Sequence, residues 1–184
     1  MKKITLLLFV ICCAAGFINA QTYKTRDGNI FFNPNKDQSK KDYASNSKEA
    51  TAVLKAETSE VALLVPMKTF HFNNALLEEH FNDNYLHSDK FPNATYKGKL
   101  NGFNKDMLTK DGVYNISSDG QITLHGVTKN FSAPVKLEVK GKTAVFNCVF
   151  KIKAEEYNID IPGLVKPKLA DETPLVANIS FPLN

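Results

Sequence analysis

A hydrophobic period of two recurs along most of this chain and constrains its fold more than any other feature. In residues 132–142, SAPVKLEVKGK, apolar side chains alternate with lysine and glutamate, and residues 143–153, TAVFNCVFKIK, repeat the alternation. Because successive side chains of a β-strand point to opposite faces, each run predicts a strand with one buried and one solvated face. Gly141-Lys142 lies between the runs, so the pair is predicted to form an antiparallel hairpin.

The same period predicts further strands along the chain. Asp27-Gly28 lies between strand-like flanks and is typical of a tight hairpin turn. Residues 113–125 predict either a hairpin at Asp119-Gly120 or one long strand that a bulge bends there. Other alternating segments lie at residues 50–56, 60–67, 93–100 and 175–181. About eight strands in all favour an all-β fold, either an up-and-down antiparallel barrel or a sandwich.

Two segments interrupt the alternation. Residues 33–48 are polar and rich in turn-forming residues, which predicts a loop. Residues 74–91 are predicted to hold a short helical segment that Asn74 caps and that NDN, at residues 82–84, ends. The side of this helix predicted to pack on the sheet consists of Leu76, Leu77, His80 and Phe81.

The N-terminal segment, MKKITLLLFVICCAAGFINA, is typical of a cleaved secretory signal. Two lysines precede an apolar run, residues 4–13, that is too short to span a bilayer. Cleavage is predicted after Ala20, which predicts a periplasmic or secreted protein with no stable membrane insertion after cleavage. The alternative is a lipid anchor on Cys12 or Cys13. Residues 21–184 then have the length of one domain.

Charge and cysteine content exclude several classes of function. The formal net charge of +4 is too small to indicate a nucleic-acid partner. Cys148 is the one cysteine beyond the signal segment, so no internal disulfide is expected. It lies on the apolar face of a predicted strand, where a cysteine behaves as a small hydrophobic residue.

Histidines and acids concentrate between residues 71 and 89, which suggests a metal site or an acid–base pair. On a continuous helix, however, His80 and His87 would lie about 10 Å apart along the axis, too far to bind one ion. We therefore predict no metal, no cofactor and no catalytic residue, and a partly buried, hydrogen-bonded His80. The alternative is an enzyme that uses His71, His80 and His87, with or without metal.

Several segments together resemble the YceI-like family of exported bacterial proteins. They are MKTFHFNNALLEEHFNDNYLHSDKFPNATYKGKL, GQITLHGVTKNFSAPVKL and YNIDIPGLVKPKLA, preceded by TRDGNIFF at residues 25–32. Residues 122–129, ITLHGVTK, are the most specific of them. The resemblance extends from about Tyr23 to the C-terminus, nearly the whole chain beyond the signal segment.

This resemblance implies a lipocalin-like barrel that encloses a long apolar tunnel. Family members are associated with isoprenoid chains, quinone side chains or fatty-acyl ligands, dimers are common, and catalytic residues are not shared. The resemblance also implies that residues 113–125 form one bent strand that ends in a turn at His125-Gly126, and it leaves ligand access near the 33–48 loop open.

The inward-facing apolar residues are the candidate lining of this tunnel. The predicted set is Leu54, Leu77, Phe81, Val135, Leu137, Phe146, Phe150, Ile152, Ile179 and Phe181. The leading hypothesis is an exported binding protein that sequesters or carries a long apolar ligand inside the barrel. The alternative is a structural or interaction β-domain in which the same side chains form a filled core.

Overall fold

The computed structural model describes residues 21–183, and the predicted signal segment, residues 1–20, lies outside them. The described chain forms a closed barrel of antiparallel strands in sequential order. The strands are β1 Thr22–Phe32, β2 Ser45–Lys55, β3 Glu60–Pro66, β4 Asn93–Asn101, β5 Gly112–Leu124, β6 Val127–Lys140, β7 Thr143–Ile152 and β8 Thr173–Pro182. Pairing of residues 29–32 of β1 with residues 175–178 of β8 closes the sheet. The predicted up-and-down barrel is confirmed.

The predicted helical segment is present but differs in its ending. Helix α1 spans Ala75–His80, and the Asn74 side chain accepts hydrogen bonds from the backbone N–H groups of Leu76 and Leu77, as predicted for the cap. NDN does not end the helix, because Phe81–Tyr85 continues it as a π-helical turn. Short 3₁₀ helices lie at Met67–Thr69, Lys105–Thr109, Ala154–Tyr157 and Lys166–Lys168.

One residue on the predicted buried side of α1 faces solvent instead. Leu76 is 57% exposed, whereas Leu77, His80 and Phe81 are partly buried. Positions i, i+3 and i+4 share one face of a helix, and the preceding position lies about 100° away. A helix of six residues offers only that narrow buried face, so Leu76 falls outside it.

The hairpin predicted at Asp27-Gly28 is wrong. Strand β1 continues through these residues, with shifts in its register against β2 between Thr25 and Gly28 and between Gly28 and Ile30. Such shifts mark a bulge, which bends a strand without reversing it. A Cβ on Gly28 would lie only 2.8 Å from the Ala50 carbonyl oxygen. Pairing with β2 before and after the bulge therefore overrides the tendency of Asp27-Gly28 to form a turn.

Strand β5 decides between the two predictions for residues 113–125. It is one strand, Gly112–Leu124, but its register against β4 and β6 has no shift at Asp119-Gly120, so the predicted bulge is absent. The strand is followed by a turn in which His125 and Gly126 have φ angles of 49° and 76°. Two central residues with positive φ match the right-handed twist of the flanking strands. The turn at His125-Gly126 is therefore confirmed, and the alternative hairpin at Asp119-Gly120 is wrong.

No helix among residues 21–183 is long and apolar enough to cross a membrane.

Candidate ligand-binding cavity

The inward faces of the strands enclose an apolar cavity of about 850 Å³. This volume lies within the range of about 300–1,000 Å³ that is usual for small-molecule sites. Strands β1 to β8 all contribute to its wall, mainly with phenylalanine, leucine, isoleucine and valine. The cavity begins at the end of the barrel where α1 and residues 153–171 contribute to its wall, here called the open end, and it extends to Leu54, Leu100 and Phe181.

The opposite end of the barrel, here called the filled end, is packed. After β4 the chain folds back through the 3₁₀ helix Lys105–Thr109, and Phe103 and Leu108 are buried there. The Phe103 ring lies 6.3 Å from the Phe146 ring, measured between centroids. Leu137 and Ala144 belong to the same buried core and have no exposed surface. The filled end therefore closes the cavity on the side opposite the open end.

Nine of the ten predicted lining residues lie on the cavity wall. Leu137 is the exception: it is fully buried and is not part of the wall, although its partner in β7, Phe146, is. The nine are Leu54, Leu77, Phe81, Val135, Phe146, Phe150, Ile152, Ile179 and Phe181. That these side chains contact a ligand stays a prediction.

An aromatic cluster joins the helix to the barrel at the open end. Phe81 stacks on Phe32 of β1 with ring centroids 5.6 Å apart, and it contacts Phe70 and Phe72 at 5.8 and 5.0 Å. Such offset and edge-to-face pairs add about 0.5–1.5 kcal/mol each beyond the area they bury. The cluster therefore holds the segment 71–91, here called the cover, over the cavity.

Polar contacts fix the first turn of the cover. The backbone N–H of Phe72 donates to Glu78 Oε2 at 2.9 Å, and His71 Nδ1 lies 3.2 Å from Glu78 Oε1. The bond from Phe72 holds the pKa of the Glu78 carboxyl below its usual range, and the bond to His71 adds to this. Glu78 thus ties α1 to the strand-like segment before it.

The far end of the cover is attached through a pair of histidines that the sequence analysis did not connect. His87 Nδ1 lies 2.8 Å from His125 Nε2, and the two rings stack with centroids 5.1 Å apart. His125 Nδ1 is 3.0 Å from the Tyr157 carbonyl oxygen, to which it can donate. The sequence indicated His125 only as part of a turn with Gly126. Its partner, His87, lies 38 residues earlier in the chain, and only the fold brings the two rings together.

The three histidines considered for catalysis do not form one site. His71 pairs with Glu78 and His87 with His125, while His80 lies on the cavity wall. His80 is partly buried as predicted, but its side chain has no hydrogen-bond partner among residues 21–183. Within the same part of the chain, no three His, Cys, Asp or Glu side chains converge in a way that could hold a metal ion.

Acidic, basic and histidine side chains on the cavity wall come only from the cover and from residues 153–171. They are His80, Lys153, Glu155, Asp160, Lys166 and Asp171, all outside the strands. The strand-borne wall carries instead a few uncharged polar groups. Among them is Cys148, where burial raises the pKa of the thiol to about 11, so that it stays protonated at neutral pH.

The residues 33–48 form a structured loop followed by the start of β2. Asn33 is buried, and its side-chain amide donates to the carbonyl oxygens of Gln38 and Lys40 at 3.3 and 3.1 Å. Pro34 and Tyr43 of this loop lie on the cavity wall. The loop therefore reaches the open end of the barrel.

A closed antiparallel barrel around an apolar cavity defines a class of protein whose architecture suits the enclosure of one small apolar molecule. A profile of the YceI-like domain matches residues 23–181. The chain therefore belongs to the YceI-like family, as the resemblance in its sequence predicted.

Solved structures share the fold at low sequence identity. A polyisoprenoid-binding domain from Saccharophagus degradans, implicated in plant cell wall breakdown, has a TM-score of 0.73 at 11% identity and covers 89% of this chain and 98% of its own. BcnA of Burkholderia cenocepacia has a TM-score of 0.68 at 15% identity, with coverage of 83% and 95%. The YCEI protein of Campylobacter jejuni gives 0.60 at 15%, with 76% and 84%. No curated protein gives a significant match to the chain.

Proposed function

We propose that this protein is an exported binding protein that sequesters or carries a long apolar ligand of isoprenoid, quinone-like or fatty-acyl type. The observation that carries the proposal is the cavity of about 850 Å³ whose strand-borne wall has no charged side chain. Membership of the YceI-like family and the shared fold with a polyisoprenoid-binding domain support it.

The physical basis is the transfer of hydrocarbon out of water. Each CH₂ group that enters an apolar site contributes about 0.8 kcal/mol. A water molecule occupies about 30 Å³ in the liquid, so the cavity of about 850 Å³ corresponds to about 28 non-hydrogen atoms. This is roughly the size of a chain of five isoprene units, and a longer chain would extend through the open end.

The proposed role is binding and not catalysis. Cys148 is a protonated thiol within an apolar wall, which makes it a poor nucleophile. The side chains of His80, Lys153 and Lys166 lie where the cover and the segment 153–171 meet the cavity, and they suit a polar head group at the open end. Measurement of metal content after dialysis tests the enzymatic alternative: stoichiometric zinc or iron that is lost in His80→Ala would contradict binding as the sole role.

Export is proposed from the N-terminal sequence alone. We expect the intact mass of the protein from its native host to correspond to a chain that begins at Gln21. A mass that includes residues 1–20, or one that shows lipid on Cys12 or Cys13, would contradict cleavage after Ala20.

Association into a homodimer is also proposed, from the family resemblance, and is testable by light scattering.

The decisive experiment is displacement of a fluorescent apolar probe by prenyl alcohols and fatty acids of graded length. Ala177 of β8 lies on the cavity wall, and Val176 beside it points to the outer face. Ala177→Leu should shift the preferred ligand by about one isoprene unit towards shorter chains, because it removes lining space. Phe146→Trp should shift it in the same direction.

Val176→Leu is the matched control, since it adds the same kind of bulk to the outer face of the same strand and should leave the preference unchanged. If no prenyl or acyl compound displaces the probe, and if preparations from a lipid-rich host contain no lipid by native mass spectrometry, the proposed function is wrong. An unchanged ligand profile in both Ala177→Leu and Phe146→Trp would show that this cavity is not the binding site.

A further inference from the structure

Two hydroxyl groups lie inside the apolar cavity, away from its charged open end. The Tyr96 hydroxyl oxygen of β4 is 2.5 Å from Ser118 Oγ of β5, and both residues lie on the cavity wall. Ser118 is only 4% exposed. The Tyr96 ring packs edge-to-face on Phe131 with centroids 5.6 Å apart, so the hydroxyl pair sits within an aromatic wall.

Two glycines make room for this arrangement. Gly98 of β4 and Gly120 of β5 are direct partners in the sheet. The Tyr96 ring lies over Gly98, where a Cβ would overlap the phenol, and a Cβ on Gly120 would lie 2.5 Å from Gly98 Cα. Without side chains at these positions the phenol lies along the wall and reaches Ser118, two residues before Gly120 on the same face.

A count of hydrogens shows that the pair is incomplete. Two hydroxyl groups carry two hydrogens, and the bond between them uses one. Neither hydroxyl group has another hydrogen-bond partner among residues 21–183. A buried donor without an acceptor costs about 1–3 kcal/mol. The second hydrogen is therefore available to an acceptor inside the cavity.

The surroundings of the pair restrict what that acceptor can be. Its neighbours on the wall, Thr95, Phe131 and Cys148, carry no charge, and the cationic lining residues belong to the segment 153–171. A carboxylate or phosphate at this depth would be desolvated without a counter-ion, which is costly. Burial raises the pKa of the Tyr96 phenol, so it remains a donor at neutral pH.

We propose that Tyr96 and Ser118 form an internal hydrogen-bonding subsite that favours apolar ligands carrying a neutral carbonyl oxygen. The suitable class comprises isoprenoid or acyl chains with a ketone, quinone or ester carbonyl that reaches mid-barrel. A purely hydrocarbon chain leaves the second hydroxyl hydrogen without an acceptor. This inference rests on the proposed function, because it specifies the ligand of the same cavity.

The test compares two probes of equal length, geranylgeranylacetone, an isoprenoid ketone, and the hydrocarbon in which its carbonyl is replaced by CH₂. The measured quantity is the ratio of their Kd values, in wild type and in the double variant Tyr96→Phe/Ser118→Ala. We expect the relative preference for the ketone to fall about three- to tenfold in the variant, as for the loss of one hydrogen bond. The infrared carbonyl stretch of the bound ketone should rise in frequency on the same substitution.

Controls keep a folding defect apart from loss of the subsite. Ser117→Ala removes a hydroxyl from the outer face of the same strand and should leave the ratio unchanged. The single variants Tyr96→Phe and Ser118→Ala each retain one hydroxyl and should keep part of the preference. Hydrocarbon affinity in the double variant that is no weaker than in wild type shows that the cavity is intact, because the variant no longer leaves a hydroxyl hydrogen without an acceptor.

Two negative results have different meanings. If both probes bind but their Kd ratio and the carbonyl stretch are the same in wild type and in the double variant, the subsite is wrong and the proposed function stands. If neither probe binds to wild type, and prenyl alcohols and fatty acids also fail to displace the fluorescent probe, the proposed function falls and the subsite with it.

Discussion

The two ends of the barrel are built from the same strands with the same alternation, yet one is packed and the other is hollow. On β6, Val135 lies on the cavity wall, whereas Leu137, the next residue on the same face, is fully buried outside it. On β7, Phe150 faces the cavity, and Ala144 near the start of the strand has no exposed surface. The inward direction of a side chain therefore does not decide whether it can meet a ligand.

The segments that close each end make the difference. At the filled end, Phe103 and Leu108 are buried in the same core as Leu137, and Phe103 packs near Phe146. At the open end, Leu77 and Phe81 of the cover line the cavity without filling it, and Phe81 packs on other phenylalanines. Lining atoms that face empty space lose dispersion contacts, so the open end should contribute less stability than the filled end.

The sharpest test of this comparison is truncation at the filled end. Leu137→Ala should lower the free energy of unfolding by about 2–5 kcal/mol, since it removes a fully buried side chain and leaves a cavity in packed surroundings. Urea denaturation measures the change. Ligand preference should be unchanged, because Leu137 is outside the cavity wall. A loss below 1 kcal/mol would mean that this end is not packed as described.

Truncation at the open end should show the opposite balance. Phe150→Ala should cost only about 1–2 kcal/mol, less than is typical for a fully packed phenylalanine, because one side of the ring already faces the cavity. The same substitution should increase the length of chain that binds best in the displacement assay.

Val149→Ala is the control for Phe150→Ala, since Val149 is 57% exposed on the outer face of the same strand. It should change neither stability nor ligand preference by a measurable amount. If Phe150→Ala is as costly as Leu137→Ala and leaves the ligand profile unchanged, the contrast between the two ends is wrong.

The smallest expected effect concerns the cover alone. Glu78→Ala removes the acceptor of the Phe72 N–H and should destabilise the first turn of the cover by about 0.5–1.5 kcal/mol. Amide exchange at Phe72, corrected for intrinsic rates, measures this local opening. Exchange within β6 at the filled end should not change.

The same bond predicts a pH dependence with a definite sign. Because the pKa of Glu78 is lowered in the folded protein, its contribution is complete above the usual pKa of glutamate and is lost as pH falls through the lowered value. Glu78→Gln keeps an acceptor oxygen but cannot titrate, so Phe72 protection in this variant should lack that acid-dependent component. Equal acid dependence in both proteins would contradict the assignment.

Much of the fold was predictable because strands are local patterns. The inward faces of β6, β7 and β8 followed from the alternation, and the Asn74 cap followed from one residue type in one place. The strongest local turn signal, Asp27-Gly28, misled because a dipeptide that favours a turn also suits a bulge. Which one forms depends on the partners that β2 and β8 offer to β1.

The candidate site was predictable in its composition and not in its extent. Nine residues on the cavity wall were in the predicted set, but the Tyr96–Ser118 pair was missed, because a tyrosine and a serine 22 residues apart give no joint signal in the sequence. The same holds for His87 and His125. Contacts between strands depend on register, and register is a property of the whole barrel.

The sequence by itself determined that this chain forms antiparallel strands with apolar inward faces, because the period of two places every second side chain on one side of a strand. The barrel, as opposed to a sandwich, was implied by the resemblance to the YceI-like family. Only the tertiary structure decided where the interior is filled and where it is hollow. Phe103 and Leu108 are buried in the core and Phe81 lines the cavity because of how the connecting segments cross the two ends of the barrel. That crossing depends on closure of the whole sheet and not on any local pattern.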